Sequence, residues 1–234
     1  METKTLKGNG QLRTGRTELD IPHLEEIITF GLPLVGSDNY QKVMGKISKE
    51  GMLRPTTAQT FSLIDLALQN PNEEHCKDIL SKLSRNWLWT STENLYTPNE
   101  IIVYDNVDGN MPSGKESLLK RFKDGDKAIR VVPYGFKRES QSVSELAKNP
   151  YVIAQVGDKG FAEDVVARVA ERISRKEPYV WALNHTNEDV KKYTALGSGW
   201  GDYGLNLNGY FHVDDRGGFA SGVCKSAEGT AKNK

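Results

Sequence analysis

Leu53-Arg54-Pro55-Thr56-Thr57-Ala58-Gln59 and, further along, Trp87-Leu88-Trp89-Thr90-Ser91-Thr92-Glu93 are the two stretches whose reading decides the fold. Pro55 holds Arg54 in extended geometry, Thr56 supplies a side-chain cap, and Gln59 stands three residues on, in capping-box register. The helix begun there carries Ala58, Phe61, Leu63, Ile64, Ala67 and Leu68 as a broad apolar face and stops at Asn70-Pro71. In the second stretch, strand alternation places Trp87 and Trp89 on one face and Leu88 on the other. Rings of that size are read as core filling, with a stacking surface for sugar or peptide as the alternative.

Working outward, 39–49 reads as a helix with Tyr40, Val43, Met44 and Ile47 on one face, and 73–84 as another with Cys76, Ile79, Leu80 and Leu83 inward. The first twenty residues are polar and Gly-rich, a frayed end or short edge strand, and 21–30 reads as a short helix capped by Asp20. Residues 31–38 read as a turn-rich connection. Downstream, 101–104 is a buried strand, 106–126 a surface excursion with one helical turn, and 128–133 a strand that Pro133 ends or places at an edge. Ser142 opens a short helix. Then 151–156 reads as a strand, 161–174 as an amphipathic helix and 179–183 as a strand, a strand-helix-strand unit that suggests a small parallel insertion. The C-terminal part reads as short strands at 204–207, 210–213 and 218–223, with Asn208-Gly209 as a hairpin signal, and a polar tail.

A chain of 234 residues can bury a sizeable core, and its 37% hydrophobic content is that of a globular protein. The expected organisation is one domain over 1–234 with an insertion at 106–184. Lys plus Arg and Asp plus Glu are each 31, so net charge gives no general pull toward nucleic acid or an anionic membrane. No apolar segment approaches the ~20 residues that span a bilayer, and the N-terminus lacks the apolar run of a secretory signal, so a cytoplasmic location is expected. Cys76 and Cys224 are too few for a disulfide scaffold and lack zinc-knuckle spacing.

Taken together, the Arg54-Pro55-Thr56 helix start, the Trp89-Thr90-Ser91-Thr92-Glu93 strand and the short-stranded end at Ala220-Ser221-Gly222-Val223-Cys224 resemble the C-type-lectin-like fold. The likeness is to the bacterial and phage branch that carries Arg-Leu-Pro-Thr and Trp-Ser-Ser-Thr motifs, and it covers 39–104 and 195–224. It implies an α+β, C-type-lectin-like domain with a helix-containing insertion. The chain departs from the pattern in places: Met52-Leu53-Arg54-Pro55-Thr56 stands for the family's Trp-Arg-Leu-Pro-Thr, Gln59 for its helix Glu, and the 106–184 stretch is longer than usual. Sugar-binding members use a Glu-Pro-Asn calcium loop and a Trp-Asn-Asp strand. This chain has Thr97-Pro98-Asn99-Glu100 and Trp200-Gly201-Asp202 instead, so calcium-dependent sugar binding is not carried over. Cys76 on a helix and Cys224 after the last strand resemble the placement of that fold's structural disulfide more than a catalytic cysteine pair.

The candidate recognition face is a Gly/Asn/aromatic loop surface comprising Trp200, Asp202, Tyr203, Tyr210, His212, Asp214, Asp215 and Arg216. Its carboxylates and imidazole have the chemistry to hold a divalent ion if the loops converge, whereas Asp-Asp-Arg-Gly also reads as a plain hairpin turn, the reading taken, with no metal assigned. Gly157-Asp158-Lys159-Gly160 before a helix reads as a turn, with a phosphate at the helix N-terminus as the rival. His23, His75, His185 and His212 are scattered, and no Gly-x-Ser-x-Gly elbow occurs. These residues point to a binding or structural module for a protein or small ligand. The alternatives are an enzyme acting on a nucleotide or phosphorylated small molecule through the insertion, and a viral or phage accessory protein; no cofactor is indicated. Thr56→Ala is expected to cost ~1 kcal/mol in denaturant unfolding, and an unchanged midpoint would mean that the helix starts elsewhere.

Overall fold

The computed structural model describes residues 2–14, 17–173, 176–198 and 203–225. Among them, ten-residue β6 (Trp87–Tyr96) is the strand on which the other elements are placed. Two strands share one of its sides: β13 (Gly218–Ala220) runs parallel along the first half and β7 (Glu100–Asp105) antiparallel along the second. β11 (Val190–Ser198) runs antiparallel along its other side. The sheet continues through β12 (Leu205–Phe211), β10 (Tyr179–Trp181) and β9 (Glu139–Ser140), with β5 (Val35–Asp38) beyond β13 and β8 (Ile129–Pro133) beyond β7. As expected, Pro133 ends a strand at a sheet edge, where a missing N–H costs nothing.

The two faces of β6 are chemically different. Leu88, Thr90, Thr92, Asn94 and Tyr96 lie on the first face, toward the larger core. α2 (Thr57–Gln69) packs there, and its predicted capping box is present: the Thr56 hydroxyl accepts from Gln59 N–H and the Gln59 side chain accepts from Thr56 N–H. The helix start is further fixed by Thr57, whose N–H donates to Thr92 Oγ1 at 2.9 Å and whose hydroxyl lies 3.0 Å from that of Thr90. Phe61 and Ile64 are completely buried, and truncating a ring such as Phe61 removes roughly 3 to 5 kcal/mol. α3 (Glu74–Arg85), begun by a Glu73 side-chain cap, adds Cys76, Ile79 and Leu83 to that core. Trp87, Trp89 and Glu93 lie on the second face. α1 (Tyr40–Lys49), capped by Asn39, packs Tyr40, Val43, Met44 and Ile47 there against Trp89, Ala195 and Ala220.

The expected helix at 21–30 is instead a hairpin. β3 (Glu18–His23) and β4 (Glu26–Gly31) pair antiparallel, and β1 (Glu2–Thr5) and β2 (Gln11–Thr14) complete a four-stranded sheet from a segment read as frayed. Burial has a period of two: Leu19, Ile21 and His23 are buried, as are Ile28 and Phe30, while Leu24 and Ile27 are exposed. β-branched residues suit that pleat, and the two-residue turn places Leu24 at a positive φ. The 31–38 connection likewise ends in a strand, β5. Bonds from Gly31 N to Gly222 O and from Cys224 N to Thr29 O tie the four-stranded sheet to the segment after β13, which Leu53 also pairs through Val223.

Residues 151–156 also differ from the reading. They form α6 (Pro150–Val156), with Asn149 as cap and Pro150 in the first turn, preceded by α5 (Val143–Lys148) with a Ser142–Glu145 capping box. An apolar run of that length fits a strand or a buried helix equally, and the cap decides. No strand-helix-strand unit therefore forms: β10 pairs parallel with β12 and antiparallel with β9. The excursion at 106–126 contains a full helix, α4 (Lys115–Lys123). The segment α7 (Lys159–Phe161) runs through a π segment (Ala162–Val166) into α8 (Ala167–Ile173). Cys76 and Cys224 are free thiols, so the disulfide-like placement is not a disulfide; burial, with Glu73 nearby, pushes the Cys76 thiol up to about 12. No helix among the described residues is long and apolar enough to cross a membrane.

Asn208-Gly209 is not a hairpin turn but the interior of β12. Gly209 is needed because α6 approaches there: a methyl on its Cα would stand 1.8 Å from the Tyr151 hydroxyl. Gly209→Ala is expected to destabilise by about 1 to 3 kcal/mol, as overpacking does. Gly45→Ala, where a methyl meets nothing within 4 Å, is expected to stabilise by up to about 1 kcal/mol. Equal midpoints for the two variants would contradict the packing.

Candidate functional site

The anticipated recognition residues divide between two places. Trp200 and Asp202 lie outside the described residues. Tyr203 meets Tyr179 in a tilted contact, with ring centroids 4.2 Å apart, and Trp181 edge-on at 6.1 Å; Tyr179 and Trp181 are themselves 4.3 Å apart. The Trp181 indole N–H donates to Asn206 Oδ1 at 3.1 Å. Val180 between them points into the first core, and strand alternation puts Tyr179 and Trp181 on the second face. None of the three rings belongs to a hydrophobic core cluster, and Trp181 is 37% exposed.

Tyr210 and His212 lie on the other side of the sheet, because the ladder between β11 and β12 is irregular. Tyr193 pairs with Phe211 and Ala195 with Asn208, so one residue of β11 faces two of β12. The extra residue reverses the alternation. Phe211 joins Trp87 and Trp89 on the second face, and Tyr210 joins Lys192 on the first. The Lys192 ammonium lies 4.5 Å from the Tyr210 ring centroid and donates to His212 Nε2 at 2.6 Å. Burial pulls the Lys192 amine below its ordinary range, and Asp215 opposes that pull. Asp215 accepts from the His212 backbone N–H at 2.7 Å, the self-bonded turn of the simpler reading, while Asp214 and Arg216 are exposed beside it. Among the described residues no three His, Cys, Asp or Glu side chains converge as a metal site.

Tyr179, Trp181 and Lys192 escaped the sequence reading. The first two were placed in an insertion strand, and β11 was left unassigned, although Tyr193-Thr194-Ala195-Leu196 has strand composition. Gly157 ends α6 in the left-handed region, and the Asp158 carboxylate accepts from Phe161 N–H at 2.6 Å. That acceptor already occupies the helix start where a phosphate was considered. A separate cleft of about 570 Å³ lies between β3, α2 and the α7–α8 segment, with Ser62, Asp65, Gln69, Arg168 and Arg172 on its walls. Both of its guanidinium groups meet carboxylates: Arg168 donates to Asp65 and Asp164, and Arg172 lies 3.7 Å from Asp65.

No protein-family model matches the sequence. No curated protein matches it significantly. A solved structure, described as the accommodation of massive sequence variation in Nanoarchaeota by the C-type lectin fold, is similar over 81% of this chain and 94% of its own, with a TM-score of 0.53 and 15% identity. The architecture is therefore α+β and C-type-lectin-like.

Proposed function

We propose that this chain is a binding module that recognises a protein or a small ligand through the Tyr179–Trp181–Tyr203 surface, with Trp200 and Asp202 kept as candidate contacts because they stand next to Tyr203 in the sequence. The observation that carries this reading is that three large rings contact one another on the second-last strand of the sheet and beside it without belonging to a core cluster. Such rings offer area at low entropic cost with a polar tip, the chemistry favoured at recognition surfaces. Tyr210, His212, Asp214, Asp215 and Arg216 form a second, smaller surface on the opposite face. The structural neighbour's description concerns a fold that tolerates sequence variation, which fits a module whose frame and recognition surface are separable. Within this reading, 106–184 is an insertion in a single folding unit, and the Arg54-Pro55-Thr56 and Trp89-Thr90-Ser91-Thr92 stretches resemble the motifs of the bacterial and phage branch.

A second reading, an enzyme acting on a nucleotide or phosphorylated small molecule, has in its favour the cleft lined by Arg168 and Arg172, while Asp65 and Asp164 balance those two charges and count against a strongly anionic ligand. The two readings are separated by a panel of immobilised glycans and displayed peptides, run beside thermal shift with nucleotides and inorganic phosphate. Trp181→Ala and Tyr203→Ala are expected to change stability by no more than ~0.5 kcal/mol and to abolish capture of any panel hit. Retained capture in both variants, or phosphate stabilisation lost in Arg172→Ala, would favour the cleft.

A further inference from the structure

Glu93 closes the Trp-Leu-Trp-Thr-Ser-Thr-Glu stretch on the second face of β6 and is 1% exposed. Its cross-strand partners are Tyr104 on β7 and Tyr193 on β11, and the Tyr40 ring of α1 lies 4.0 Å from that of Tyr193. One carboxylate oxygen, Oε1, accepts from Tyr40 Oη and from Asn106 Nδ2, each at 3.0 Å. The other, Oε2, lies 2.6 Å from Lys191 Nζ but takes no directed hydrogen bond. The Tyr104 hydroxyl, on a fully buried side chain beside the carboxylate, has no well-formed hydrogen bond among the described residues. The Lys191 ammonium sits 5.3 Å from the Tyr193 ring centroid and 5.8 Å from that of Tyr104.

A carboxylate walled by aromatic rings at that range is the chemistry that recognises an organic ammonium ion. Here the ion belongs to the chain itself and arrives from the solvent side, on a side chain that is 31% exposed. The carboxylate oxygen held only by the Lys191 ion pair and the tyrosine hydroxyl beside it, which lacks a well-formed hydrogen bond, are both acceptors for ammonium N–H donors. We propose that Glu93, Tyr40, Tyr104 and Tyr193 form a binding site for a primary alkylammonium group, which Lys191 fills as a tethered ligand in the free protein. When Lys191 swings into solvent, the incoming ammonium donates to Glu93 Oε2 and Tyr104 Oη and lays its first methylenes against the Tyr193 ring. Exchanging one ammonium for another keeps Glu93 paired throughout, so the exchange avoids the penalty of a lone buried carboxylate. A free amine and a lysine side chain of a partner both present this group.

The test uses the full chain with Lys191→Ala, which empties the site. Thermal unfolding is followed against ethylammonium, with sodium and tetramethylammonium, which has no N–H donor, at matched ionic strength. Lys191→Ala is expected to lower Tm, and ethylammonium to restore most of the loss saturably while the two controls do not. The Lys191→Ala, Glu93→Gln double variant is expected to show no ethylammonium response. Should Lys191→Ala not fold alone, refolding yield with and without ethylammonium gives the same answer. Restoration by Nα-acetyl-lysine methylamide as well supports a partner lysine, and restoration by ethylammonium alone supports a free amine. In the wild type, saturating ethylammonium is expected to move the Lys191 Cε signal of ¹³C-lysine-labelled protein toward that of exposed lysines. A response shared by the controls, one that persists without the Glu93 carboxylate, or an unmoved Lys191 signal overturns the proposal.

Discussion

Asn94, in the middle of a strand that packs against a hydrophobic core, sets the geometry around it. Its side chain is fully buried, which is tolerable only when its amide is fully bonded. Asn94 Nδ2 donates to Thr194 Oγ1 on β11 at 2.8 Å and to Gly209 O on β12 at 3.3 Å, while Oδ1 accepts from Gln155 Nε2 and Tyr151 Oη of α6. One amide thus joins three strands and a helix distant in sequence. Thr90 and Thr92 continue the same row by fixing the first residue of α2, and Thr92 donates on to Asp105, which pairs with Arg130. A row of satisfied polar groups specifies a single arrangement more sharply than apolar side chains would, because a slip of one residue leaves every one of them unpaired.

This division of labour frees the opposite face. With the helical segments bound to the first face through Asn94 and Tyr96, the second face of β6, β11 and β12 carries Trp87, Trp89, Tyr193 and Phe211 in edge and tilted ring contacts under α1. That ring-rich layer ends on one side at the Tyr179–Trp181–Tyr203 cluster, where Trp181 is exposed and the two tyrosines are half-buried, and on the other at the Glu93 carboxylate. Most residues of both proposed recognition features stand on strands, where side-chain positions are well defined, while Tyr203 precedes β12 and Tyr40 belongs to α1. The irregularity at Tyr193 and Ala195 is what turns Phe211 to the second layer and Tyr210 to the first, reversing the alternation that Leu205 and Leu207 set earlier in β12.

What was legible in the sequence is what neighbouring residues decide. Thr56 with Gln59 and Ser142 with Glu145 are three apart and make their bonds locally, so those helix starts could be read. The α+β class and the lectin-like frame followed from the Arg-Pro-Thr and Trp-Thr-Ser-Thr stretches. Where partners are remote, the reading failed. Ile27 and Leu24 imitate a helical face, yet they are exposed on a hairpin whose buried residues alternate. Gly209 imitates a turn residue, yet it is a glycine because Tyr151 crosses over it. The proposed recognition surface is only half visible in the sequence for the same reason: Tyr203 meets Tyr179 and Trp181 through a parallel pairing of β10 with β12 that no local pattern announces.

The Asn94 clamp is tested most directly by a double-mutant cycle on Asn94→Ala and Gln155→Ala, with stabilities from denaturant unfolding. If this amide holds α6 to the sheet, each single variant loses stability and the two losses are strongly non-additive, with a coupling of about 1 to 3 kcal/mol. Losses that add to within about 0.3 kcal/mol would mean that helix and sheet are held together by apolar packing alone, contradicting the clamp.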